Sequence, residues 1–229
     1  MTKMLWKIII FLGMSAVIVA AFVTASPMKA ADSLGPADVY RIFYFHVPQA
    51  WVASLAFVLS MIYSIRFLKT RNMEYDTKAL TANKLGVMFA IVATVTGSIF
   101  AKMTWGEFWN WSEIREVSIF ILLLIYGGYF ALRSAISDPD TRANLSAVIS
   151  IIFTVAALFL IFVLPRIYST FSQHPSDSIV DETGKITMGV TVRMIFFSSL
   201  IMFTALFFWV YNLSVRIAKL SINKLPENK

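Results

Sequence analysis

Leu145-Ser-Ala-Val-Ile-Ser-Ile-Ile-Phe-Thr-Val-Ala-Ala-Leu-Phe-Leu-Ile-Phe-Val-Leu164 is a run of 20 residues without a charge. As a helix it would rise about 30 Å, which matches the hydrocarbon thickness of a bilayer. Working outward, five more stretches read the same way: Ile8–Ser26, Val47–Ile65, Leu85–Ala101, Val117–Leu132 and Met194–Val215. The runs at 85–101 and 117–132 are short, so their helices are expected to continue into flanking interfacial residues. The expected fold class is therefore all-α, an integral membrane bundle of six transmembrane helices with loops at the outer face.

Composition supports the same reading. Apolar residues make up 58% of the 229, charged residues 14%, and the mean hydropathy is +0.72. A soluble domain carries about a quarter charged residues. The length fits one membrane domain, residues 1–229, with no second soluble one. The chain has no cysteine, which excludes disulfides, thiolate metal sites and a Cys-x-x-Cys-His attachment within it.

The net charge of +7 follows the topology. With the amino terminus and every second loop placed in the cytoplasm, 13 Lys and Arg fall inside and 7 outside. The outer seven are Lys29, Arg41, Lys102, Arg115, Arg166, Lys185 and Arg193. Positive charge stays inside, so both termini are expected in the cytoplasm, and nucleic acid is not needed to explain the charge. The first apolar run has 19 residues, longer than the roughly 7–15 of a signal-peptide core, so it is expected to be retained. The outer loops are then about Pro27–Phe45, Lys102–Glu116 and Pro165–Arg193.

The two histidines of the chain, His46 and His174, both fall on these loops. His46 stands in Arg41-Ile-Phe-Tyr-Phe-His-Val-Pro-Gln-Ala-Trp51, and Pro48 suits the first turn of a helix. His174 stands in Phe171-Ser-Gln-His-Pro-Ser. Each alone reads as a polar residue capping a span. As a pair on one side they also read as two imidazole ligands to iron.

The second outer loop holds Trp105-Gly106-Glu-Phe-Trp109-Asn-Trp111-Ser112-Glu113-Ile-Arg115, with three of the six tryptophans in seven residues. One reading is an interfacial aromatic belt. The other is a platform: in an extended segment the three indoles, at even spacing, would share one face and suit a flat apolar macrocycle. Arg115 and Arg41 could meet the propionates of a haem, since the guanidinium fork suits carboxylates. Both arginines could equally pair with Glu113, Glu116 or Asp38.

The run Trp-Gly-x-x-Trp-x-Trp, followed by an acidic residue and an arginine, resembles the tryptophan-rich "WWD" signature of haem-handling proteins of cytochrome c maturation. Tyr-Phe-His-Val-Pro-x-Ala-Trp resembles the first histidine motif of the haem exporter protein C family, CcmC. Together with six spans, the resemblance covers nearly the whole chain. The family has Asp directly after the last tryptophan. Here Ser112 holds that place, and a one-residue insertion would align Glu113 with the Asp and Arg115 with the family Arg.

The resemblance implies a multi-pass protein of the bacterial inner membrane. It implies His46 and His174 as axial ligands to the iron of a non-covalent, transient haem b, and Trp105, Gly106, Trp109 and Trp111 as its platform. Arg115, Glu113 and Arg41 would hold propionates or orient ligands. It also implies hand-over to a periplasmic haem chaperone of the CcmE type and association with other membrane subunits of a maturation complex. No serine–histidine–acid set or pair of catalytic carboxylates can be assembled, so an enzyme is not expected.

The alternative is a b-type cytochrome subunit of a membrane electron-transfer complex. Electron passage across about 30 Å of hydrocarbon needs about four ligands, some within the spans, and the chain has two histidines. A solute transporter would carry ionisable groups or an inverted repeat in its spans. Neither is visible.

Overall fold

A computed structural model describes residues 2–23, 37–169, 172–174 and 188–223. Among these residues the regular structure is entirely helical: α1 (Thr2–Val23), α2 (Phe43–Thr70), α3 (Met73–Trp105), α4 (Ile114–Ala135), α5 (Pro139–Leu158), α6 (Leu164–Ile167) and α7 (Val190–Asn223). A 3₁₀ turn, Ala37–Ile42, leads into α2, and a π-helical turn, Phe159–Val163, joins α5 to α6. Six helical segments are long and apolar enough to cross a membrane, with α5 and α6 counted as one. Lys29, Lys185, Lys224, Lys229, the small residues after the first span, and Phe171, Pro175 and Ser176 beside His174 lie outside the described residues.

The helices outrun the apolar runs that mark them. The second segment, expected at 47–65, extends over Asp38–Thr70, and the third, expected at 85–101, is a single helix of 33 residues. Lys102–Trp105 are thus helical, and the tryptophan loop is confined to 106–113. Helix α3 starts on Asn72, whose side chain accepts from Glu74 N, and α5 starts on Asp138, which accepts from Thr141 N. Both caps satisfy amide donors that a helix start leaves free.

Helix α2 is the central element, packed against α3, α5 and α7. Membrane helices gain nothing from exchanging lipid for apolar side chains, so small residues and close backbone approach hold them together. The α2–α3 contact has this character. Ala53, Ala56, Ala82, Ala90 and Ala93 are buried, and a Cβ on Gly86 would stand 2.6 Å from the Phe57 ring. Phe57 in turn stacks on Tyr126 of α4 at 4.1 Å.

Several polar groups pair across this core. Ser60 Oγ donates to Ala79 O and meets Ser150 Oγ, Asn83 Nδ2 donates to Ser150, and Thr154 Oγ1 donates to Phe57 O. Nearer one end, Arg133 of α4 forms a two-pronged bond with Asp76 of α3, at 2.8 and 2.5 Å. Pro48, expected in the first turn of its helix, lies deeper in α2 because the helix begins at Phe43. Its missing N–H leaves the Tyr44 carbonyl without a helical donor. The buried Ser199 hydroxyl of α7 supplies that hydrogen bond.

Candidate functional site

Both histidines lie at the same end of the bundle, where α2 and α7 begin and α3, α4 and α6 meet their loops. His46 is on the first turns of α2 and leans on α3. Its Nδ1 is 2.9 Å from the Ala93 carbonyl and 3.1 Å from Thr96 Oγ1. With Nδ1–H donating there, Nε2 keeps the lone pair. A partner on one ring nitrogen fixes the tautomer in this way at metal-binding histidines. Gly97 makes the contact possible, because a Cβ at that position would stand 2.8 Å from His46 Cε1.

His174 is held from a different direction. Glu113 is the N-cap of α4 and is 1% exposed, and its carboxylate gathers the third loop. Oε1 accepts from Ser172 Oγ at 2.7 Å, and Oε2 accepts from Gln173 N at 2.6 Å. His174 Nδ1 stands 3.2 Å from Oε1, close but off a hydrogen-bonding angle, so the contact is chiefly electrostatic. Burial alone would raise the Glu113 pKa, but the bonds from this loop hold it well below the usual carboxylate range. Burial lowers the His174 pKa, and Glu113 partly opposes this. The pair is therefore carboxylate and neutral imidazole at neutral pH, which leaves His174 able to act as a ligand.

His46 lies within electrostatic range of His174 and Arg115. Arg115 lies within range of Glu113 and Arg166, and its Nε is buried without a hydrogen-bond partner among the described residues. Arg41 is engaged elsewhere: it pairs with Asp38 at 3.0 Å and lies over the Phe22 ring. The ordinary reading of a local ion pair thus describes Arg41, whereas Arg115 lies within electrostatic range of both histidines.

The tryptophans do not form one extended strip. Trp105 is the last residue of α3, and Gly106, at φ 88°, ends the helix in the left-handed region that glycine adopts without strain. Trp105 packs edge-on against His174 at 4.8 Å and against Phe100 at 5.8 Å, and Phe100 meets Tyr40. Trp109 and Trp111 form a second group, edge to face at 5.6 Å, and both contact Phe120 of α4. A helix turns 100° per residue and the following loop bends, so even spacing does not align the three indoles.

The loop between these groups is tied down. Ser98 Oγ donates to Phe108 O, Lys102 Nζ donates to Gly106 O, and Asn110 N donates to the buried Glu116. Among the described residues Trp105 and Trp109 each bury an indole N–H without a partner, while the Trp111 side is 66% exposed. Ser112 is exposed and Glu113 is buried, so the carboxylate that organises the site is Glu113.

Sequence reading missed several contributors: Ala93, Thr96 and Gly97 under His46, Ser172 and Gln173 on Glu113, and Arg166 beside Arg115. Of these, Gly97 alone carries a signal in the chain, as a glycine inside an apolar run.

Fold and site together define a polytopic membrane protein with a paired-histidine, tryptophan-lined end. Comparison with known proteins makes this specific: the chain belongs to the heme exporter protein C family, CcmC, whose model matches residues 1–225. It is 30% identical over 146 residues to heme exporter protein C of Bradyrhizobium diazoefficiens, covering 64% of this chain and 55% of that one. With the Rhodobacter capsulatus heme exporter protein C it shares 34% over 118 residues, 52% of this chain and 48% of the other. A ccmC-like mitochondrial protein of cytochrome c biosynthesis from Marchantia polymorpha is 32% identical over 192 residues, covering 82% and 80%. The chain thus spans about half the length of these two bacterial relatives.

Proposed function

We propose that this protein handles haem in c-type cytochrome biogenesis, holding it at the periplasmic face of the bacterial inner membrane for a haem chaperone of the CcmE type. One observation carries the reading: two imidazoles stand at one end of the bundle, His46 oriented through Nδ1 so that its Nε2 is free, and His174 set beside the Glu113 carboxylate and the Trp105 ring. In this reading His46 and His174 ligate the iron of a non-covalent haem b. Arg115, with its unpartnered Nε, meets a propionate, and Trp105 lies against the macrocycle beside His174. Trp109 and the exposed Trp111 form the part of the platform from which haem leaves.

Haem here is cargo. The chain's contribution is ligand exchange and transfer to a partner, with no bond-making catalysis by its side chains, and the other membrane subunits of a maturation complex supply the rest. The charge asymmetry supports cytoplasmic placement of both termini.

The test is the visible spectrum of protein purified in detergent. Wild type is expected to show six-coordinate, low-spin b-type haem, and His46→Ala and His174→Ala are each expected to lose it. An unchanged spectrum in either variant would refute paired ligation. Transfer is read from cells: Trp109→Ala with Trp111→Ala is expected to lower c-type cytochrome levels.

A further inference from the structure

At the opposite end of the bundle, α3 and α7 enclose a cleft of about 330 Å³ lined by Thr81, Lys84, Leu85, Ser214, Ile217 and Ala218. Its chemistry is mixed in an informative way. Leu85, Ile217 and Ala218 make apolar walls. Thr81 spends its hydroxyl proton on Thr77 O and so presents only its methyl group and lone pairs. Among the described residues neither Ser214 nor Lys84 donates to a side chain or carbonyl, and Lys84 has no ion-pair partner. No carboxylate lines the cleft.

The local field is positive as well. About two helical turns before Thr81 on α3, Glu74 is shared by Lys78 at 2.6 Å and Lys219 at 2.8 Å, two cations on one carboxylate. The cleft therefore offers an ammonium at the same end of the bundle as a cluster that carries an excess positive charge.

Its depth identifies the ligand class. The apolar run of α3 starts at Leu85, directly after Lys84, and that of α7 ends at Val215, directly after Ser214. The donors thus sit at the boundary of the hydrocarbon layer and the apolar walls extend into it. Basic pockets between membrane helices at that level suit anionic headgroups, and a lysine stem can lie along the apolar wall with its charge at the interface. We propose that this cleft binds an anionic phospholipid. Lys84 and Ser214 hold the headgroup phosphate, and Leu85, Ile217 and Ala218 contact the glycerol and the upper acyl chain.

The experiment is native mass spectrometry of the full chain in detergent, titrated with phosphatidylglycerol and, separately, phosphatidylcholine. One cation near a membrane surface is worth a factor of about five in affinity. Lys84→Ala is expected to weaken the first phosphatidylglycerol by about that factor and Lys84→Glu by more, while Lys84→Arg retains it. Ser214→Leu, which fills the cleft, is expected to block binding. Phosphatidylcholine binding should not depend on Lys84, and the haem spectrum should be unchanged throughout. Equal phosphatidylglycerol affinity in wild type and Lys84→Glu, or full binding by Ser214→Leu, would overturn the proposal. Displacement of the lipid by millimolar inorganic phosphate in a Lys84-dependent way would assign the cleft to a free anion and overturn it too.

Discussion

The imidazole of His46 occupies the space that a side chain on Gly97 would take, with Cε1 2.8 Å from where a Cβ would stand. Two helices, α2 and α3, thereby share one side chain's volume. The same close approach brings the Ala93 carbonyl within 2.9 Å of Nδ1. The ring's tautomer and position thus depend on the absence of a side chain one turn along the neighbouring helix.

Substitution at Gly97 should therefore act on haem before it acts on the fold. Alanine in place of glycine favours a helix by up to about 1 kcal/mol, so Gly97→Ala need not destabilise α3. It should nonetheless push the His46 ring off its carbonyl and reduce haem occupancy, and Gly97→Leu should abolish low-spin haem as His46→Ala does. The visible spectrum and a thermal melt of the same sample separate the two effects. Full haem occupancy in Gly97→Leu would show that His46 is placed by other contacts.

Glu113 should control the third loop. Glu113→Ala removes the acceptor of Ser172 and Gln173 and the charge facing His174, so it should lose low-spin haem while His46 stays in place. Glu113→Asp, one methylene shorter, should be intermediate. A wild-type spectrum in Glu113→Ala would mean that His174 is held without the carboxylate.

The same residue predicts a pH dependence. Burial alone would raise the Glu113 pKa, but the hydrogen bonds from Ser172 and Gln173 and the facing His174 depress it to about 2 from an ordinary value of 4.5. Between those values the unfolded state binds more protons, so stability rises with pH across the window. The contribution is complete above about pH 4.5 and fades as pH falls toward 2. Melts in detergent at pH 5 and pH 3 should show a larger drop for wild type than for Glu113→Gln. Equal drops would remove Glu113 as the cause.

Ser199→Ala should destabilise the histidine end. It leaves the Tyr44 carbonyl, already without a donor because of Pro48, buried and unpaired. An unsatisfied buried polar group costs about 1–3 kcal/mol. Denaturant unfolding should register that loss, and Ser199→Thr, which keeps the hydroxyl, should recover part of it.

The far end offers a control. Asp76→Ala leaves Arg133 buried without its carboxylate, and breaking such a pair costs about 3–5 kcal/mol. Stability should fall by that order while the haem spectrum of the folded fraction is unchanged. A shifted spectrum would reveal coupling along α3 from Asp76 to Ala93 and Thr96.

Much of the site was visible as residues and little of it as geometry. His46, His174, Trp105, Trp109, Trp111 and Arg115 stand out because their types are rare or their spacing is unusual. The even spacing of the indoles suggested one face, and the helix running on to Trp105 broke it. Arg41 and Arg115 read alike in the chain. Only packing separates them: Arg41 pairs with Asp38 and lies over Phe22, while Arg115 lies within electrostatic range of both histidines.

Six spans and an all-helical fold were determined by the sequence alone, because a bilayer leaves the backbone one economical way to satisfy its hydrogen bonds across 20 apolar residues. The charge count likewise suffices for an expected orientation, since it sums over loops whatever their contacts. Which acidic residue of the loop is buried, which arginine lies within electrostatic range of the histidines and which nitrogen of His46 stays free were decided by tertiary structure. Those answers depend on contacts between residues 47 to 61 positions apart, such as His46 with Ala93 and Glu113 with His174. No local spacing encodes such distances, and only the packing of α2 on α3 and of the third loop on α4 sets them.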